Sequence, residues 1–189
     1  MHDHEDKYEF EKQYWGNCVN TFDEDNKHYV YAAYMGLERY HYSFDAKNKS
    51  ILDIGGGPSS MLLKCFNLKR GKVVDPIEYP EWTKLRYKSH NVEVDVRRGE
   101  DVNETGWDEV WIYNCLQHTD DVELIIRNAK RAAKVLRIFE WIDVPAHDGH
   151  PVELTQNFLD ECIGLPGSRV RVLAEQGCFG KAYFGTYLL

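Results

Sequence analysis

The sequence predicts an α/β fold: one doubly wound, mostly parallel sheet of about seven strands, with an antiparallel C-terminal hairpin at one edge and an aromatic-rich helical flank at the N-terminus. Three observations carry this expectation. From Ser50 onward, short apolar runs alternate with helix-like stretches, the pattern of strands joined by crossovers and buried on both faces. Three successive glycines, Gly55, Gly56 and Gly57, follow directly on the first of these runs. The final stretch, SRVRVLAEQGCFGKAYFGTYLL, holds two strand-like runs around a tight turn at Glu175 to Gly177, and strands so closely joined must lie antiparallel.

Taken in order, residues 1–48 hold 11 of the 25 aromatic residues, and Val30, Ala33, Tyr34, Leu37 and His41 recur at helical spacing. A helical lid or flank packed on the rest of the chain is therefore expected there. The strand runs follow as SILDIG, GKVVDP, NVEVDV, DEVWIYN and VLRIFEWID. A helix is expected to start near Pro58 after the first run, because proline suits a first helical turn, where its missing N–H has no partner to lose. The ten residues RRGEDVNETG between the third and fourth runs are too few for a crossover helix, so a turn or stub is expected. Val122, Ile125, Ile126, Ala129, Ala132 and Ala133 share one helix face, with Asp120 or Asp121 placed to cap its free amides. VELTQNFLDECIG, after Pro151, reads as one more helix. No repeat or Pro/Ser-rich linker divides the 189 residues, so one domain is expected over 1–189, with the flank at 1–48 and the sheet core at 49–189.

Composition narrows the partners. Lys and Arg total 23 against 31 Asp and Glu, a formal charge of -8 without any run of five or more basic residues. Clustered cations are what hold a phosphate backbone, so a nucleic-acid partner is disfavoured. The opening MHDHEDKYEFEKQYW is charged throughout and offers no apolar signal core, and no later run reaches membrane-spanning length, which predicts a cytoplasmic protein with no membrane partner. Cys18, Cys65, Cys115, Cys162 and Cys178 are odd in number and form no CxxC pair, so reduced thiols are expected and neither a disulfide framework nor a zinc site.

The chemistry centres on ILDIGGGPSS. A glycine turn after a strand lets a ligand approach the main chain and directs free helix amides toward it. Asp75 ends the second run, 18 residues beyond Gly57, the distance at which an acidic residue in nucleotide-binding sheets accepts hydrogen bonds from ribose hydroxyls. The third run is followed by GED, so Glu100 or Asp101 could meet an adenine amino group. A dinucleotide enzyme wants G-x-G-x-x-G, but Gly55 and Gly57 are followed by Ser60. Asp53 also points away from a pyrophosphate: a carboxylate in the loop repels phosphate, favours a cationic ligand and can accept loop amides.

DIGGGP with Asp53, the strand-end Asp75, GED at 99–101 and VWIYNCLQHTDD after the fourth run together resemble the Rossmann-like class I S-adenosylmethionine-dependent methyltransferases. The resemblance covers roughly Ser50 to Asp143, and the terminal hairpin extends it nearly to Leu189. It implies a seven-stranded sheet with a reversed final strand, and S-adenosylmethionine as cofactor with S-adenosylhomocysteine as product. It places Asp53, Gly55, Gly56, Gly57 and Pro58 around the amino-acid part, Asp75 on the ribose, Glu100 or Asp101 near adenine, and Asn114 and Cys115 along the same cofactor. The departure is Ser59, where the family often has another glycine. Tyr14, Trp15, Gly16 and Asn17 resemble the entrance segment that some members fold over the cofactor.

Methyl transfer from a sulfonium needs alignment more than acid-base help. His118, after the fourth run, is one candidate base, although histidine there often serves the loop. In WIDVPAHDGHPVE, Asp143, His147, Asp148 and His150 crowd one loop, where His147 or His150 could act as base or acceptor contact; no regular spacing supports a metal. Trp82, Trp107 and Trp141 could line an acceptor pocket, though ordinary packing ranks ahead for each. No NPPY-like motif follows the fourth run, where Asn114 precedes Cys115. The expected function is methylation of a small-molecule or carbohydrate-like acceptor at oxygen or nitrogen. The alternatives are a non-catalytic cofactor-binding or partner-activating subunit and, behind it, a nicotinamide dehydrogenase.

Overall fold

The computed structural model describes the backbone of residues 4–147 and 150–189, with side chains from Tyr8 onward, so Asp148 lies outside the described residues. Helices α1 (His4–Trp15) and α2 (Cys18–Tyr34) lead into the sheet. Its strands are β1 (Arg39–Tyr40), β2 (Ser43–Ile54), β3 (Cys65–Asp75), β4 (Val92–Val96), β5 (Trp107–Tyr113), β6 (Ala133–Ile142), β7 (Arg169–Glu175) and β8 (Cys178–Leu188). Helices α3 (Glu81–Ser89), α4 (Val122–Ala132) and α5 (Gln156–Ile163) fall between them. The order is β4-β3-β2-β5-β6-β8-β7, with the short β1 paired to the start of β2. Pairing is parallel from β4 to β6, and β8 is antiparallel to both β6 and β7.

Strand alternation explains why both faces are covered. Leu52, Val110, Ile112, Leu136 and Ile138 pack with Ile125, Ile126 and Ala129 of α4 and with Leu159 and Ile163 of α5. Their neighbours Ile51, Trp111, Tyr113 and Phe139 face the other way, against Tyr31 and Met35 of the N-terminal flank and Met61, Leu62 and Tyr87. The expected amphipathic helix is α4, and Asp121 is its cap, accepting from Leu124 N at 2.9 Å. The expected stub is a 3-10 turn at Gly99–Asp101. Gln176 and Gly177, both with positive φ (48° and 79°), form the two-residue turn between β7 and β8, the geometry that matches strand twist in a hairpin.

Two expectations are corrected. The helical flank does not run to residue 48: β2 begins at Ser43, and Phe44 and Ala46 are buried on it. Lys47 and Asn48, at φ 51° and 54°, break its regularity with a bulge against β3, and this polar interruption hides the first half of the strand. The buried face of α2 carries Val30, Tyr31 and Ala32, whereas Ala33 is exposed and Leu37 and His41 lie beyond the helix. The second correction concerns Pro58, which sits in a turn and starts no α-helix. Only a 3-10 helix, Met61–Lys64, follows, capped by the Ser60 hydroxyl, and β3 begins at Cys65. Met61, Leu62 and Leu63 are all buried, so the apolar run plugs the sheet face within one turn instead of presenting a helical stripe.

Candidate functional site

A cleft opens at the C-terminal ends of β2, β3 and β5, where open α/β sheets place ligands, and α1 and α2 flank it. Ile54, Gly55, Gly56, Gly57, Pro58 and Ser59 supply one wall, Val74, Asp75, Ile77 and Tyr79 the next, and Tyr113, Asn114, Cys115, His118 and Thr119 a third. Gly99, Glu100 and Ile125 close one end. Tyr8, Glu11, Trp15, Glu24 and His28 reach in from the two N-terminal helices.

The three glycines have separate reasons. Gly55 and Gly57 adopt positive φ (77° and 62°), which side chains resist. A Cβ on Gly55 would lie 2.6 Å from Cys115 Cβ and Sγ, and one on Gly56 would lie 2.6 Å from Asp53 Oδ2. Close approach within the chain itself therefore requires Gly55 and Gly56, while Gly57 meets nothing nearer than Tyr79 Oη at 3.8 Å.

Asp53 lies beneath the loop, fully buried and outside the cleft wall. Its Oδ2 accepts from the hydroxyls of Ser60 and Tyr113, the latter at 2.6 Å, instead of the expected loop amides. Burial pushes this carboxyl up to about 7, against the pull of those two hydroxyls. The loop amides go to tyrosines: Ser60 N donates to Tyr87 Oη at 2.8 Å and Met61 N to Tyr113 Oη at 2.9 Å. Tyr87 Oη in turn donates to Gly57 O at 2.6 Å. Asp25 of α2 adds a clamp, accepting from Ser59 Oγ at 2.7 Å and pairing with Lys64 at 2.9 Å. In place of a helix N-terminus, the loop is held by side chains of β5, α3 and α2.

Asp75 stands in the cleft wall with one oxygen bound by Gly57 N and the other by Ile77 N, each at 3.0 Å. Burial raises its carboxyl to about 6, opposed by those two amides and by Tyr79. Each oxygen keeps acceptor capacity beyond its amide, which is what a vicinal diol requires. Glu100 lines the end of the cleft, but its Oε1 accepts from Asp120 N (3.0 Å) and Asp121 N (3.2 Å) at the start of α4, and it pairs with Arg98. Burial works against its charge, yet Arg98 and these amides hold it below the ordinary carboxyl range. Asp101 is exposed and outside the wall. This end of the cleft thus offers Gly99 and Ile125 beside a Glu100 carboxylate already engaged by the chain; a Cβ on Gly99 would fall 2.9 Å from Ile54 Cγ2.

Asn114, at φ 50°, turns the chain out of β5, donating to Glu24 Oε1 at 2.9 Å and accepting from Gln117 Nε2 at 3.1 Å. The amides of Cys115 and Leu116 donate to Glu140 Oε1 (3.1 and 3.2 Å), a fully buried carboxyl raised by burial to about 7. His118 faces the cleft with Nδ1 3.0 Å from Glu11 Oε1 of α1, and Trp15 Nε1 donates to the other Glu11 oxygen at 2.7 Å. Trp15 therefore lines the cleft, whereas Tyr14 is exposed and stacks edge-on against Trp15. His147 and His150 lie outside the wall. Their rings are 4.5 Å apart, and His150 meets His118 edge-on at 4.6 Å, so they reach the cleft through His118. Burial and the neighbouring His118 and His147 lower His150 to about 4. Trp82, Trp107 and Trp141 line none of it; Trp107 is in the core under Arg70, and Trp141 packs on Phe139. Among the described residues, no His/Cys/Asp/Glu group is arranged to hold a metal.

Sequence reasoning missed Glu11, Glu24 and His28. Glu24 and His28 are four apart on α2, and Glu11 and Trp15 four apart on α1, the spacing that sets two side chains on one helix face. His28 is buried, with Nδ1 3.0 Å from Lys64 Nζ, which has only protons to give, so Nδ1 accepts and Nε2 carries the hydrogen. Burial and Lys64 hold this imidazole well below its ordinary value, hence neutral.

No family model and no curated protein matches the chain by sequence. Its similarity is to solved structures. The N-methyltransferase NodS from Bradyrhizobium japonicum WM9, in complex with S-adenosylhomocysteine, aligns over 96% of this chain and 97% of its own, at TM-score 0.67 and 13% identity. Magnesium protoporphyrin IX methyltransferase from Synechocystis PCC 6803 aligns over 90% and 84%, at 0.62 and 11% identity. A methyltransferase from Thermotoga maritima aligns over 93% and 99%, at 0.57 and 14% identity. With the strand order, the reversed β8 and the glycine turn already described, the chain has the Rossmann-like fold of the class I S-adenosylmethionine-dependent methyltransferases.

Proposed function

We propose that the protein transfers a methyl group from S-adenosylmethionine to a small-molecule acceptor at nitrogen or oxygen. The observation that carries this reading is the placement of Asp75 and the glycine turn in one wall of a cleft at the strand ends. The residues present fit the cofactor. Asp75 offers acceptors to a ribose diol, and Ile77, Ile125 and Gly99 offer an apolar slot to a purine. The cleft wall carries carboxylates and no Lys or Arg among its described residues, which suits a ligand bearing ammonium and sulfonium charges. The bound cofactor supplies an activated methyl and a neutral leaving thioether. The protein's own work is to fix the reactants and exclude water: Asp75 orients the sugar, Asn114 and Tyr113 shape the middle, and α1, drawn down by Glu11 onto His118, covers the cleft. His118 sits at this seam with its ring between Glu11 and His150, where a base or an acceptor contact could act. Small-molecule or glycan-like acceptors match the cleft better than a nucleic acid at this net charge of -8.

One observation favours a second reading, a cofactor-binding or partner-activating subunit without turnover: Asp53, Asp75, Glu100 and Glu140 each hold the chain's own amides or hydroxyls. A nicotinamide dehydrogenase is disfavoured because Ser60 opens a four-residue 3-10 helix, leaving no α-helix N-terminus to receive a pyrophosphate.

Calorimetric titration with S-adenosylmethionine and S-adenosylhomocysteine, with NADH as control, tests the reading. Micromolar binding of the first two and none of NADH is expected. Absence of binding by both sulfur ligands would overturn it, and binding without any acceptor-dependent product across broad acceptor pools would select the non-catalytic subunit.

A further inference from the structure

Glu24 of α2 lines the cleft, where it meets the tip of β5. Its Oε1 is bound by Asn114 Nδ2 at 2.9 Å, at the tip of β5, and its Oε2 by Lys27 Nζ at 3.1 Å, on the outer side of α2. Behind it Tyr31 is completely buried, its hydroxyl turned toward Glu24 and Trp141 without completing a hydrogen bond. His28, beside them, is neutral. No Lys or Arg is among the described residues of the wall, and the cations close by are committed: Lys64 to Asp25, Lys27 to Glu24 and Arg98 to Glu100.

An anionic acceptor would enter beside the Glu24 carboxylate with no Lys or Arg of the described wall to meet it, and a neutral hydroxyl would bring that carboxylate no charge, whereas an ammonium finds its counter-charge there. We infer that the acceptor is an amine, received through N–H hydrogen bonds by Glu24 in front of the buried Tyr31 hydroxyl. The inference rests on the methyl-transfer reading and narrows it. The amine enters as an ammonium and releases one proton to solvent as it is seated. Its lone pair then forms the N–C bond while the C–S bond breaks and returns its electron pair to sulfur. Charge balances: ammonium plus sulfonium give a methylated ammonium, a neutral thioether and one proton in solution.

The test uses the full chain with methyl-labelled S-adenosylmethionine and three pools built on the same benzyl, phenethyl and butyl skeletons, as amines, alcohols and carboxylates. Label is expected in the amine pool at least tenfold above the other two. Glu24→Gln is expected to raise the amine KM at least tenfold, a larger change than it makes in the cofactor Kd. Label in the alcohol or carboxylate pool, equal label in all three, or none in any while the cofactor binds, overturns the amine assignment and leaves cofactor binding standing. A cofactor that does not bind removes the methyl-transfer reading, and the amine assignment with it.

Discussion

Glu11 Oε1 and His118 Nδ1 lie 3.0 Å apart, and through this contact a helix from the N-terminal flank is fastened to the turn after β5. Glu11 is 9% exposed and also accepts from Trp15. The pair thus sets the position of the indole in the cleft.

Glu11→Gln should loosen this fastening and weaken S-adenosylmethionine binding about fivefold, the equivalent of ~1 kcal/mol for one partly buried polar pair. The pH dependence has a definite sign. Although burial opposes its charge, His118 and Trp15 lower the folded-state value of Glu11 below its ordinary 4.5. Its contribution is therefore present above that value and lost as pH falls through the folded one. Trp15 emission followed from pH 7 to pH 3 should show an acid transition that Glu11→Gln abolishes; an unchanged transition would detach Glu11 from the lid.

Asp75 gives a trend of opposite sign near neutrality. Burial raises its folded value to about 6 from 3.8, so its contribution to folding stability declines as pH rises between those values. If Asp75 receives the ribose as proposed, the hydroxyls bind its carboxylate form, so cofactor affinity should rise about tenfold from pH 5 to pH 7, with proton release on binding. Calorimetry in buffers of differing ionisation enthalpy reads that release. Asp75→Asn should flatten the profile and cost at least about tenfold in affinity, from the loss of one charge-assisted hydrogen bond. A flat wild-type profile counts against Asp75 as the ribose acceptor.

The glycine turn separates folding from binding. Gly56→Ala drives a Cβ to 2.6 Å from Asp53 Oδ2 and should destabilise the protein by roughly 2–4 kcal/mol, as overpacking against a buried carboxyl does. Gly57→Ala meets only Tyr79, at 3.8 Å, and strains the backbone at φ 62°, for about 1 kcal/mol. Gly57 and Tyr79 both line the cleft, so cofactor binding should suffer more than stability does. Denaturant melts set beside titrations of the two variants would show this crossing, and equal effects in both assays would refute it.

What was legible in the sequence follows from periodicity. Leu52, Ile54, Val110 and Ile112 announce buried strands by composition, and Val122 to Ala132 a helix by its stripe. Gly55 to Gly57 and Asp75 fell in one wall because strand ends bring them together whatever lies between. The hydroxyl props could not be read: Tyr87 and Tyr113 reach Ser60 and Met61 across 27 and 52 residues, and each looks like ordinary core. The absent helix after Pro58 was equally hidden, since MLLK suits an α-helix or a buried 3-10 turn alike, and the choice rests on how soon Cys65 must pair with Phe44. Glu11 and Glu24 lay among aromatics that read as a lid, so their carboxylates passed as its solvated face.

The ten-residue link between β2 and β3 also bears on how the chain is assembled. Ser50 pairs with Arg70 and Ile54 with Val74, about twenty positions apart, whereas β2 reaches β5 only across Ile51 and Glu109, 58 positions apart. Loop closure over the shorter interval loses less entropy. As the polypeptide emerges from the ribosome, β2, carrying Asp53, and β3 can therefore zip together, with the glycine turn between them, before Tyr113 has been synthesised. This corner of the cleft then exists in outline as a nascent fragment, and the arrival of β5 supplies the hydroxyl that locks it.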